Sequence, residues 1–499
     1  MKKVIAITAG VVVAAAGAWV GASWYTGKKI EADVQSSITR LNQQLESNAS
    51  FRGVSVKIDS YERGILTSHV RYALNFSKDV PIWNVLGAGA PLPFEARIEH
   101  GPFAPGALAE WHFSPLLGYV HTEMANSDRA RPLFLAAQGA LPLTADIRVA
   151  YNGDVSFNWH ASRQEGTYHD GNVKFAGADG AGAYAQGTQA IKMHGDIGAF
   201  SVQSKDDALV RQAAFDGATV DTDGRIGKFG FLVGDSTLKF KHASIDGTGS
   251  TVGSLDDVVY RTKMSEDDTA LSGEVGLDVG KLKVDDIDMG AAQLVFKFNR
   301  LDGVAVRDLS KQFGRREHED DWLNESVDED EHEGMEREDA LIAAAKARGK
   351  SVARLIAGKP SFSIDPLSML KTPNGEARLT FAIELTSPDE AALEHGGPIY
   401  DGPMNMIKTA DTTWKVSRTV LKEMLVQRLQ KRGLTTEAGA RAMVDVQLGT
   451  WLSKMVNDKL IKLDGDNLVG SVHYADQVLD WNGSKVPVEK LGAYLSELL

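Results

Sequence analysis

Histidines and carboxylates are the residues of this chain best suited to chemistry, and their spacing completes none of the common sites. His318-Glu319-Asp320-Asp321 runs on to Trp322, and His332-Glu333 leads to Glu336, so neither supplies the second histidine of a helical zinc motif. Asp221-Thr222-Asp223-Gly224 resembles part of a calcium loop, but Thr219 and Gly230 stand at its first and twelfth positions, where carboxylates are needed. Gly349-Lys350-Ser351 ends like a phosphate-binding loop, yet Ala344 takes the place of the first glycine and the flanks read as helix. No Gly-x-Ser-x-Gly elbow is present. His100, beside Gly101-Pro102-Phe103, is read as a hydrogen-bonded turn residue, with a general base as the alternative. No catalytic, cofactor-binding or metal-binding residue is assigned on this basis, although carboxylates brought together only in space would leave no linear trace.

Composition narrows the classes further. With no cysteine in 499 residues, disulfides, thiolate metal sites and cysteine nucleophiles are excluded. The formal charge of −13 is concentrated, because 13 acidic residues and one arginine lie between Glu317 and Asp339. That segment carries −12 and leaves the rest of the chain close to neutral, so no basic surface for nucleic acid is implied. It reads as a solvated loop, with weak divalent-cation binding by His318, His332 and their carboxylates as the alternative.

The elements that must position any site are mainly strands. Val54, Val56 and Ile58 alternate with Ser55, Lys57 and Asp59, and the alternation resumes at Val70, Tyr72, Leu74 and Phe76 after the turn Tyr61-Glu62-Arg63-Gly64. Similar segments follow at Phe94–Glu99, Ala145–His160 with an Asn152-Gly153 hairpin signal, Ile191–Gln203, Arg225–Asp246, Val258–Lys263, Ala270–Val279 and Gln293–Phe298. Strand pattern returns at Gly375–Thr386. Two helices are then predicted over Trp414–Lys431 and Thr436–Asp458, the first closed by Gly433, and a last hairpin over Leu468–Tyr474 and Val478–Trp481. The expected class is mainly β with α (α+β), with large, strongly curved antiparallel sheets and covering helices. The expected divisions are residues 1–27, a β-rich domain 28–306, an acidic and helical insert 307–360, and a second α+β region 361–499.

Ahead of all this lies Val4–Tyr25, an uncharged apolar run bracketed by Lys2–Lys3 and Lys28–Lys29. At about 1.5 Å per residue it matches a hydrocarbon core of roughly 30 Å, and Trp19, Trp24 and Tyr25 fall where an interfacial aromatic belt would lie. It is read as a signal-anchor transmembrane helix with the body in the periplasm. A signal peptide cleaved after Val20-Gly21-Ala22 is the alternative. Ile30, Val34, Ile38, Leu41 and Leu45 then give an amphipathic helix leaving the membrane.

Several short stretches, taken in order, carry a resemblance. Tyr61-Glu62-Arg63-Gly64 before a strand, His100-Gly101-Pro102-Phe103, Leu301-Asp302-Gly303 after a strand, Gly375-Glu376-Ala377 opening one, and Leu479-Asp480-Trp481-Asn482-Gly483 together resemble the YdgA-like family of bacterial inner-membrane-anchored envelope proteins, a domain of unknown function. Ala104 departs from it where a second proline is expected, and the acidic insert looks private to this chain. The resemblance implies location and architecture and supplies no reaction. Two readings of function follow. One is an anchored, non-enzymatic envelope protein that binds a lipid, another apolar ligand or a protein partner through an extended sheet surface, with homodimerisation compatible. The other is a hydrolase acting on envelope material through a spatially assembled site.

Overall fold

The computed structural model describes residues 53–76, 91–168, 171–204, 210–247, 253–310, 349–386 and 406–486, apart from positions 129, 286, 432 and 434–435, together with residues 27, 38–39 and 42–43. Val4–Tyr25 and the acidic run 317–339 lie outside these. Among the described residues no helix is long and apolar enough to cross a membrane. The protein is mostly β, with few helices and large antiparallel sheets. It divides into two compact units, Met1–Ile226 and Gly227–Leu499, a break inside the stretch 28–306.

In the first unit the strands are β1 (Val54–Arg63), β2 (Thr67–Phe76), β3 (Leu92–His100), β4 (Leu116–Met124), β5 (Leu143–Ala150), β6 (Val155–Ala161), β7 (Gln164–Tyr168), β8 (Gly171–Phe175), β9 (Ala178–Ala185), β10 (Ala190–Ile197), β11 (Phe200–Ser204), β12 (Val210–Phe215) and β13 (Ala218–Ile226). Antiparallel pairing runs in the order β1-β2-β3-β4-β5-β6-β9-β10-β13, with β7-β8-β11-β12 as a second ribbon. Short helices α1 (Pro105–Ala109) and α2 (Arg131–Ala136) fill two connections. In β2, β3 and β4 one parity of side chains faces a core, so Phe94 and Met124 pack with Ala130 and Leu133 at α2, and Val70, Ala96 and Ile98 form a neighbouring cluster. Farther along, the bulky residues of β6 need room. Trp159 lies over Gly180 and Phe157 over Gly182, each directly opposite on β9, where any added Cβ would meet the ring.

The second unit holds β14 (Leu232–Gly247), β15 (Gly253–Glu266), β16 (Ala270–Val284), β17 (Ile287–Asp288), β18 (Ala291–Asp302), β19 (Ser361–Thr372), β20 (Gly375–Leu385), β21 (Ile407–Ser417), β22 (Lys462–Asp464), β23 (Asn467–Ala475), β24 (Val478–Trp481) and β25 (Ser484–Val486). Helices α3 (Arg418–Lys431) and α4 (Glu437–Asn457) form a hairpin around Val426, Ala440 and Val444. Gly433, at φ +65°, follows α3, and the Thr436 side chain accepts from the Gly439 amide to cap α4.

One expectation changes here. Trp414–Ser417 is strand and not helix, because Ile407–Ser417 pairs on both edges, with β20 and with β23. Asp221–Gly224 lies within β13, paired to β10, so it forms no loop that could wrap a cation. Residues 349–357 are helical, as the flanks of Gly349-Lys350-Ser351 suggested.

Candidate functional site

The motif residues of the first unit meet at one end of its sheet. Thr67 of β2 stands opposite Glu99 of β3, so the β1–β2 turn and the residues after β3 leave the sheet together. There His100, 1% exposed, offers Nε2 to the Ser68 hydroxyl at 2.8 Å, and its Nδ1 faces the Ile65 carbonyl at 3.2 Å. A carbonyl can only accept, so Nδ1 carries the proton and Nε2 accepts from Ser68. The Tyr61 hydroxyl donates to Ser68 in turn, at 3.3 Å. Burial pulls the imidazole below its ordinary pKa, opposed by the Ile65 carbonyl and helped by the charge of Arg63. The Gly64 amide closes the turn onto the Thr67 carbonyl, the Gly101 amide donates to Leu117, and the Pro102 carbonyl accepts from Leu116, while Phe103 is 44% exposed.

A serine and a histidine in contact raise the question of nucleophilic catalysis. Ser68 is 0% exposed, and the outer ring nitrogen of His100 faces a carbonyl where an orienting carboxylate would be required. The chain Tyr61–Ser68–His100–Ile65 thus satisfies a buried polar cluster that ties two turns together. Gly27, two residues beyond Tyr25, packs on this cluster, since a Cβ there would run into the His100 ring.

A polar row crosses the same sheet. Arg97, His121, Asp146, Asn158, Ala181, His194 and Asp221 stand directly opposite one another on successive strands. His121 Nδ1 lies 2.7 Å from Asp146, and His194 Nδ1 2.7 Å from Asp221. In the adjacent row His160 Nδ1 meets Asp179 at 2.6 Å. The carboxylates of Asp221 and then Asp196 push His194 above its ordinary pKa. Between His160 and His194 the small Ala181 leaves a shallow depression of about 360 Å³, rimmed by Asp146, Asn158, Asp179 and Asp196. Among the described residues no three histidine, aspartate or glutamate side chains converge to hold a metal ion. At the edge of the row the Tyr119 hydroxyl bonds Glu110 at 2.8 Å and Asp146 at 2.6 Å, and Arg148 pairs with Glu110. Burial and the two carboxylates drive the Tyr119 phenol far above its ordinary pKa.

The motif residues of the second unit serve turns and caps. Asp302 accepts from the Ala305 amide at 2.8 Å and pairs with Arg354 at 2.8 Å, and the Gly303 amide donates to Thr269. Leu301 stands opposite Leu271. Asn482, at φ +55° and 7% exposed, accepts from the Ser471 amide and donates to the carbonyls of Lys459 and Leu460, while the Gly483 amide donates to Asp480. What stands apart is the sheet face itself. Leu238, Tyr260, Leu277, Leu294, Leu367, Leu379 and Trp414 form one directly opposed row from β14 to β21, flanked by Val275, Phe296, Ile364 and Phe381 in the next. Every one of the first row is half-buried except Tyr260, which is exposed.

The family described as a bacterial protein of unknown function (DUF945) matches residues 1–489. The chain belongs to that family. "Protein YdgA" of Escherichia coli (strain K12) is 23% identical over 494 residues, covering 98% of this chain and 95% of that protein. "Uncharacterized protein YihF" of the same strain is 24% identical over 307 residues, 61% of this chain and 63% of its own length. An uncharacterized protein of Haemophilus influenzae is 27% identical over 176 residues, 35% of this chain and 45% of that one. No solved structure matches. The resemblance read from the short motifs therefore extends along the chain. In this DUF945 member those motifs mark turns, whereas Ser68, Asp146, His160 and His194 carried no linear signal, because their partners lie on other strands.

Proposed function

We propose that this chain is a membrane-anchored periplasmic envelope protein, not an enzyme, that holds a phospholipid acyl chain along the apolar sheet face of its second unit. The observation that carries the reading is the half-buried row from Leu238 to Trp414. Seven strands' worth of apolar side chains, left short of full burial, is more than scattered surface hydrophobicity, and such faces mark ligand or partner sites. At roughly 4.8 Å between strands, the seven strands of the row span about 29 Å, enough for one extended acyl chain. In this reading the sheet curves around the chain, and Val4–Tyr25, kept as an anchor, places the body within reach of bilayer lipid.

Photo-crosslinking tests it. The full chain is expressed in Escherichia coli with a benzophenone amino acid at Leu294, on the apolar row, or at Lys297, whose parity places it on the opposite face. Position 294 is expected to capture phospholipid, identified by mass spectrometry, and position 297 is not. Equal labelling at both, or protein adducts alone at 294, would overturn the reading.

A further inference from the structure

The end of the first unit that carries His100 also carries the most exposed aromatic side chains among its described residues. Ile65 in the β1–β2 turn is 58% exposed, and in the β3–β4 connection Phe103, Trp111 and Phe113 are 44%, 82% and 62% exposed. Tyr151, in the β5–β6 turn, joins them at 50%, since Ala150 pairs with Leu116 at this same end. Trp111 and Phe113 pack edge to face with ring centroids 6.1 Å apart, so they project as one body. Trp111 also has φ +61° just past α1, a position that favours glycine. Trp111 is therefore a bulky residue held in a left-handed backbone, with Phe113 against its ring and most of its surface left uncovered.

His100 donates its amide to the Leu66 carbonyl and faces the Ile65 carbonyl, and Gly27 packs on its ring. Only Thr26 separates Gly27 from Tyr25, the end of the apolar run, and Lys28–Lys29 follow. An aromatic tip at the same end as Gly27, which in the sequence follows the apolar run and precedes Lys28–Lys29, has the chemistry of the lipid headgroup region.

We propose that the tip formed by Ile65, Phe103, Trp111, Phe113 and Tyr151 inserts into the outer headgroup layer of the membrane that Val4–Tyr25 spans. The tip, as a second foot, holds the first unit at a set height and tilt over the bilayer. This rests on the reading of Val4–Tyr25 as a retained anchor, and it is independent of any lipid carried by the second unit.

The absence of cysteine makes the test direct. Trp111→Cys, Phe113→Cys, Ser23→Cys in the run and Leu135→Cys on α2 each give a single labelling site in the full chain; Leu135 is 71% exposed at the other end of the sheet. The variants carry an environment-sensitive NBD label and are reconstituted in phosphatidylcholine–phosphatidylglycerol vesicles with or without nitroxide-bearing lipid. Labels at 23, 111 and 113 are expected to shift to the blue and lose most of their emission to the nitroxide, and the label at 135 is not. If 23 is quenched while 111 and 113 behave like 135, the anchor stands and the tip proposal fails. If 23 is not quenched either, the anchor reading itself fails and takes the proposal with it. Shielding at 111 without nitroxide quenching would mean that a protein, a second copy included, covers the tip, and would overturn the proposal.

Discussion

The apolar face of the early strands in the first unit and the apolar face of the sheet in the second are made of similar residues and end differently. Phe94 and Met124 are 4% and 5% exposed because Ala130 and Leu133 lie against them. In the second unit α4 covers the β21–β24 end, where Met455 packs with Trp481, but Leu277, Leu294, Leu367 and Leu379 remain half-buried. A face closed by a helix returns its hydrophobic free energy to stability. A face left partly open holds that free energy in reserve for whatever comes to cover it.

Mutations can break or sharpen this contrast. Phe94→Ala removes a closed-face anchor that also stacks on Tyr72 at 5.3 Å, and is expected to cost about 3–5 kcal/mol by urea denaturation. Asn482→Asp comes next. It replaces an amide that donates to Lys459 and Leu460 by a carboxylate facing two carbonyls, and a loss of roughly 2–3 kcal/mol is expected, with hydrogen exchange rising first in β23 and β24. Leu294→Ala, on the open face, is expected to cost only about 1 kcal/mol while lowering phospholipid capture, because a half-buried side chain has less contact to lose. Were Leu294→Ala as costly as Phe94→Ala, the open face would be a core and the contrast would collapse.

The smallest effect concerns pH. His194 has a folded pKa above its unfolded value near 6.5, held there by Asp221 and Asp196, so its contribution to stability is complete below that value and is lost as pH rises through the folded pKa. His100 has the opposite sign. Its folded pKa is depressed by burial, so its contribution is present above the unfolded value and is lost as pH falls through the folded one. Imidazole proton shifts followed by NMR should move apart in these two directions, and His194→Gln should remove the alkaline-side dependence alone.

Much of the strand order was readable in the chain, and the exceptions share a cause. β9, Ala178–Ala185, looks like a glycine-rich turn, yet Gly180 and Gly182 are the places where Trp159 and Phe157 of β6 lie. β19 is broken to the eye by Pro366, and β21 was hidden by Trp414, whose ring meets Gly470 on β23 and Trp481 on β24. The turn at Asn152-Gly153 was legible because Gly153 needs its φ of +85°, a property of two residues.

What the sequence alone determined is local: the two-residue alternation of the strands, the glycines and asparagines of the turns, the glycine that ends α3, the uncharged run Val4–Tyr25 and the family motifs. All of these depend on covalent neighbours and on steric limits at single residues. What only the tertiary structure decided is which distant residues meet. Ser68 with His100, His194 with Asp221, Gly27 with the His100 ring, and the line from Leu238 to Trp414 each follow from register between strands far apart in the chain. Alternation tells a side chain which face to take, and register alone tells it whom it will find there.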